Sequence, residues 1–175
     1  MNIPNILTIF RILLVPVFVI FVIQNNLFMA LVIFILAGIT DGLDGFLARV
    51  LDQRTVIGAY LDPIADKFLL ISAYLSLTIK DMLPGWLSVV VVSRDIIILS
   101  GVVILHVMDK RPAIRPSILS KITTVFQIAT IILMLFYAGS QTVFLSPIIA
   151  ITAAFTILSG LAYIYSGIKI MGEGN

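Results

Sequence analysis

Six stretches of this chain are long and apolar enough to cross a bilayer, and only short polar connections separate them. They run from about Leu7 to Ile23, Leu27 to Val50, Val56 to Ile79, Trp86 to Val107, Ile118 to Tyr137 and Leu145 to Ile170. The expected fold is therefore an all-α membrane protein, a bundle of six transmembrane helices forming a single integral-membrane domain over residues 1–175. At 61% hydrophobic and 11% charged residues, the composition lies well outside the range of soluble domains. It leaves no room for a separate soluble domain. The first apolar run lacks the basic leader and small-residue cleavage site of a signal peptide, so it reads as a retained span. The absence of cysteine excludes disulfides, thiolate catalysis and zinc–thiolate sites. A net charge of +2 is too small to argue for nucleic acid.

The basic residues set the expected orientation. Arg11, Arg49, Arg54, Lys110, Arg111, Arg115, Lys121 and Lys169 lie at or near one side of a six-span arrangement, and Lys80 alone lies on the other. Both termini and the Asp41–Asp66 stretch are then expected on the cytoplasmic side.

That stretch gathers four carboxylates in otherwise apolar sequence: Asp41, Asp44, Asp62 and Asp66. On a helix Asp41, Asp44 and Ala48 share one face, and Asp62 and Asp66 share another. The polar segment Asp52-Gln53-Arg54-Thr55 is long enough for a turn and little more. The simplest geometry is a helical hairpin that turns the two carboxylate faces toward each other. A single aspartate within a span could merely pair with a base such as Arg49 or Lys67. Four on facing helices outnumber the nearby bases and call for a cation. Oxygen ligands without His or Cys suit Mg²⁺ or Mn²⁺, with two ions sharing the carboxylates. Pro63 is expected in or near the first turns of its helix. Gly45 and Gly58 read as points of close approach for a ligand, whereas Gly42 and Gly101 read as helix-packing residues.

Taken together, Asp41-x-x-Asp44-Gly45-x-x-Ala48-Arg49, eight residues, then Gly58-x-x-x-Asp62-x-x-x-Asp66 resembles the signature of the CDP-alcohol phosphatidyltransferase family. The NIPNILTIFRILLVPVF opening, Ser93-Arg94-Asp95 and the SKITTVFQ segment from Ser120 resemble its phosphatidylglycerophosphate synthase and CMP-forming cardiolipin synthase branches. The resemblance implies a homodimer of six-helix subunits, integral to a bacterial inner or cell membrane, with CDP-diacylglycerol as donor and CMP as by-product. It implies that Asp41, Asp44, Asp62 and Asp66 bind the metal ions and that Asp66 is the catalytic base. By the same resemblance Asp44, Gly45, Ala48, Arg49 and Gly58 meet the CDP moiety. The expected reaction is phosphatidyl transfer to glycerol 3-phosphate, giving phosphatidylglycerophosphate. The alternative acceptor is phosphatidylglycerol, as in a cardiolipin synthase.

A phosphate-bearing acceptor needs cations beyond the metal site. The candidates are Thr8, Arg11, Arg94, Arg115 and Lys121. Arg94 lies deepest in its span. Its neighbour Asp95 is expected to be a poor partner, because adjacent helix residues point different ways. Thr8 reads equally as a cap at a helix start, and His106 as an interfacial bystander. Trp86 and Tyr137, near span ends, read as interfacial anchors. A divalent-cation transporter would also place aspartates within spans, but would put them near the midplane between repeats. Here they cluster toward one end and no repeat is visible.

Overall fold

The computed structural model describes residues 3–50, 56–107, 118–137 and 145–172, and side chains over 6–43, 65–101, 118–137 and 145–168. All regular structure among them is helical. The elements are α1 (Ile3–Ile23), α2 (Leu27–Val50), α3 (Val56–Ile79), α4 (Gly85–Val107), α5 (Ile118–Phe136) and α6 (Ser146–Gly172). Three helices are long and apolar enough among the described residues to cross a membrane, at Ile6–Ile23, Ile118–Phe136 and Ser146–Ile168; Leu27–Leu43 is a shorter apolar stretch.

The expected boundaries hold to within two residues except at the start, where the polar opening joins α1 rather than preceding it. Thr8 is accordingly inside the helix and not its cap. Pro63 sits two turns into α3, whose start at Val56 is the expected one.

Local chemistry ends the helices. Asn25 has φ 59° and Asp81 φ 56°, left-handed conformations that Asn and Asp tolerate better than most residues. After α1 the Asn26 N–H reaches the Phe21 carbonyl at 3.0 Å, and after α3 the Met82 N–H reaches Leu77 at 2.9 Å. Both are the six-to-one bond that closes a Schellman cap. Asn26 then caps α2, its side-chain oxygen accepting from the Met29 N–H at 3.3 Å.

The chain divides into two compact units. The first comprises Met1–Leu83 with Ile131–Ser140, the second Pro84–Thr130 with Gln141–Asn175. In the first, α1 packs on both α2 and α3. Val15, Phe18 and Val22 of α1 and Ala30, Phe34 and Ala37 of α2 are buried, at spacings that put each set on one helix face. The Phe18 and Phe34 rings lie 5.8 Å apart, and the small alanines let the backbones approach.

In the second unit α4 packs on α6, while α5 and α6 share a line of buried polar side chains. Thr130 and Thr152 hydroxyls are 2.8 Å apart, the Gln127 amide donates to Thr156 at 3.3 Å, and the Thr123 hydroxyl donates to the Phe155 carbonyl at 3.1 Å. These pairs follow one antiparallel register. Away from water such bonds join helices that apolar surface alone would not.

Candidate active site

The motif residues fall on two consecutive helices. Asp41, Asp44, Gly45, Ala48 and Arg49 occupy the last turns of α2, and Gly58, Asp62 and Asp66 the first half of α3. The turn at Asp52–Thr55 lies outside the described residues, as do the side chains of Asp44, Ala48, Arg49 and Asp62. Asp66 is partly exposed, one residue after the fully buried Ala65.

Asp41 has a partner that its local sequence does not reveal. Arg11 on α1 places Nη1 2.6 Å from Asp41 Oδ1. Arg11 lies seven residues before Phe18 and Asp41 seven after Phe34, so ion pair and ring pair obey a single antiparallel register about the Gln24–Asn26 turn. Thr8, Arg11, Val15, Phe18 and Val22 form one buried face of α1. The Arg11 side chain is wholly buried, whereas that of Asp41 is 46% exposed. Beside it, a Cβ placed at Gly42 or at Gly38, one turn earlier, would meet nothing within 4 Å. Gly42 therefore does not serve the helix packing expected of it within this chain, whereas Gly101 does, with the Tyr163 ring 2.7 Å from where its Cβ would stand.

Arg94 is the centre of a second arrangement. Its Nη1 is 2.7 Å from Asp95 Oδ1, and its Nη2 donates to Ser120 of α5 at 2.6 Å and to Ser159 of α6 at 2.9 Å. The expectation that Asp95 would be a poor partner is thus overturned. The Arg side chain is long enough to cross the angular gap between successive helix positions, and a buried carboxylate gains most from the nearest cation. Asp95 is fully buried and Arg94 almost so. Ser120 and Ser159 were not picked out as partners of Arg94 by sequence reasoning, although the signal was present: a charged pair inside an apolar span must find polar partners on neighbouring helices.

Of the acceptor candidates, Thr8 and Arg11 are buried in the first unit and Arg94 in the second. Lys121 is exposed in the first turn of α5, and Arg115 lies outside the described residues. Trp86 and Tyr137 are about half-exposed at helix ends, as interfacial anchors should be.

Among the described residues no three His, Cys, Asp or Glu side chains gather as a metal site, and two of the four motif aspartates have side chains outside that set. The donor chemistry suits a divalent ion nonetheless. Asp41 presents a half-exposed carboxylate with one oxygen on Arg11, and the other motif ligands are likewise carboxylate oxygens, the hard donors that Mg²⁺ and Mn²⁺ prefer.

The fold and the placement of these residues define an all-α integral membrane protein with aspartates on a consecutive helix pair. The pattern of the CDP-alcohol phosphatidyltransferase family matches residues 1–159, and the chain belongs to that family. It is 36% identical over 178 residues to the CDP-diacylglycerol–glycerol-3-phosphate 3-phosphatidyltransferase of Wigglesworthia glossinidia brevipalpis, covering 94% of each chain. It is 32% identical over 187 residues to the human cardiolipin synthase (CMP-forming), covering 96% of this chain and 62% of that protein. A probable phosphatidylglycerophosphate synthase of Mycobacterium tuberculosis is 32% identical over 179 residues, with 98% and 84% covered. The chain thus spans about three fifths of the human relative's length.

Proposed function

We propose that the chain, as one domain over residues 1–175, transfers a phosphatidyl group from CDP-diacylglycerol to glycerol 3-phosphate, releasing CMP and forming phosphatidylglycerophosphate. The observation that supports this acceptor is the match to a glycerol-3-phosphate phosphatidyltransferase over 94% of both chains. The match to human cardiolipin synthase over nearly all of this chain supports a second reading, in which phosphatidylglycerol is the acceptor.

In this reading Asp41, Asp44, Asp62 and Asp66 would hold Mg²⁺ or Mn²⁺, as two ions. A metal held there would supply electrostatic stabilisation of the charge that develops on the leaving CMP. Gly45, Ala48, Arg49 and Gly58, with Asp44, meet the CDP moiety. Asp66 takes the proton from the acceptor hydroxyl. The freed oxygen attacks the phosphorus attached to diacylglycerol, a new P–O bond forms, and the bond to CMP breaks. Lys121, exposed at the start of α5, is, among the described residues, the acceptor-phosphate candidate whose cation is most available. The protein acts as a homodimer with both termini and the aspartates on the cytoplasmic side of a bacterial membrane. Lys110, Arg111 and Arg115 in the Asp109–Pro116 connection, with Arg49 and Arg54 around the Asp52–Thr55 turn and Lys80 alone on the other side, support that orientation.

The test is CMP release by purified protein with CDP-diacylglycerol and Mg²⁺ or Mn²⁺, offered glycerol 3-phosphate, phosphatidylglycerol or inositol phosphate separately. Release with glycerol 3-phosphate is the expected result. Release only with phosphatidylglycerol would move the assignment to cardiolipin synthesis. Metal flux across vesicles without any CMP release would return the chain to the transporter class.

A further inference from the structure

A guanidinium with no exposed surface, inside an apolar helix, is costly unless it is paired. Arg11 is such a group. The α1–α2 register that sets the Phe18 ring beside that of Phe34 also fixes it opposite Asp41, with Nη1 2.6 Å from Oδ1. The pair is asymmetric: the cation is sealed in, while the carboxylate is 46% exposed beside the open space at Gly38 and Gly42. Among the described residues Arg11 is the group that meets Asp41 from a neighbouring helix. An acceptor's phosphate that used that guanidinium would compete with Asp41 for it.

We propose that Arg11 is the resident counter-charge of the acidic motif: it fixes Asp41 through one oxygen and neutralises it, leaving the other oxygen for a divalent cation. The carboxylates can then stay gathered without a metal. Cation affinity is held down until a diphosphate substrate adds its own oxygens, the manner in which Mg²⁺ commonly completes its shell. This rests on reading Asp41 as a metal ligand, and it moves Arg11 from the acceptor to the donor side of the reaction as a positioning residue.

Two effects of opposite sign meet in the removal of Arg11. Losing the partner that orients a ligand weakens metal binding, by about 10- to 100-fold where such partners are removed. Losing a cation beside a dication strengthens it, because the repulsion scales with the product of the charges. Across one carboxylate, at an effective dielectric of about 20, the charge effect is the larger.

The experiment is Mn²⁺ titration of the full chain in lipid nanodiscs, read by the EPR signal of free Mn²⁺, for wild type, Arg11→Lys and Arg11→Met. Arg11→Met should bind Mn²⁺ about tenfold more tightly or better, and its metal-free thermal midpoint should fall and recover when Mn²⁺ is added. Arg11→Lys, which keeps the charge, should stay within about threefold of wild type. Unchanged or weaker affinity in Arg11→Met overturns the proposal, as does an Arg11→Lys shift as large as that of Arg11→Met. A rise in acceptor KM with Mn²⁺ affinity unmoved would place Arg11 on the acceptor's phosphate and also overturn it. If Arg11→Met does not fold, the Arg11→Met/Asp41→Asn double variant must, since removing both partners of a buried pair is far milder than removing one; a double variant that also fails to fold overturns the pairing. Wild type that binds no Mn²⁺ would overturn this proposal and the metal-site reading together, whereas wild-type binding untouched by Arg11→Met overturns this one alone.

Discussion

The two buried arginines among the described residues sit in contrasting company. Arg11 meets a half-exposed carboxylate that belongs to the family's signature. Arg94 meets a fully buried one, Asp95, and two serine hydroxyls from two further helices. In the first case charge is brought to the edge of open space, where a ligand can use it. In the second it is enclosed and hydrogen-bonded on several sides, so it ties α4, α5 and α6 together. An ionisable residue within a span is a functional candidate by default. What separates chemistry from scaffolding here is how much of the pair still faces outward.

The largest expected effect tests the outward-facing region. Asp66→Asn should lower CMP release by about 10² to 10⁴-fold, the range for loss of a general base, with little change in thermal midpoint. A variant that keeps its activity would remove Asp66 from proton transfer. The enclosed region should answer in the opposite way. Arg94→Met leaves the Asp95 carboxylate buried without its cation and should cost about 3–5 kcal/mol of stability, read as denaturant or thermal unfolding in detergent. Arg94→Met/Asp95→Leu, which removes both charges, should recover most of that loss. If instead Arg94→Met unfolds normally and raises only the acceptor KM, the two arginines are alike in kind and the comparison collapses.

Sequence reasoning reached the helices because apolar run length and turn residues are local. Leu27–Val50 and Val56–Ile79 were bounded correctly for that reason, and Asn25 and Asp81 sit where turns were expected. The placement of the aspartates on two consecutive helices was legible from sequence alone. Their partners were not, because a partner depends on how one helix registers against another. Arg11 and Asp41 are far apart in the chain, and only the position of the Gln24–Asn26 turn, midway between them, relates the two. Arg94 and Asp95 failed for a different reason: Cα directions were allowed to decide what a long side chain can reach. Thr123, Gln127 and Thr130 do repeat at helical spacing, so the polar face of α5 was readable, but only the fold shows that α6 answers it.

Two glycines extend the contrast at smaller scale. Gly101→Ala must push on the Tyr163 ring, 2.7 Å from the new methyl group. That ring is held on the same helix by its hydroxyl, which donates to the Ile98 carbonyl at 3.1 Å. Overpacking of this kind costs about 1–3 kcal/mol, more than the helix propensity that alanine returns. Gly42→Ala meets open space and should stabilise α2 by up to about 1 kcal/mol. Equal unfolding midpoints for the two variants would mean that the Tyr163 ring yields, and that the second unit is less tightly built than its buried charges imply.

The smallest effect concerns the polar seam itself. Thr130 and Thr152 hydroxyls lie 2.8 Å apart across α5 and α6, and a buried hydrogen bond in an apolar medium might be thought strong. Thr130 already has another outlet, however, and Thr152, which otherwise reaches only the Phe126 carbonyl of α5 at 3.4 Å, can turn to a carbonyl of its own helix once the two separate. Thr130 donates to its own helix at the Phe126 carbonyl at 2.8 Å, a bond that survives when the helices separate within the membrane. The interhelical part is therefore only a difference between two satisfied states. A double-mutant cycle with Thr130→Val and Thr152→Val should give a coupling of about 0.6 kcal/mol. A coupling several times larger would make the uncharged seam a fastener in its own right. The Arg94 cluster would then be one tie among equals in the second unit, and enclosure of charge would no longer be what distinguishes it from the first.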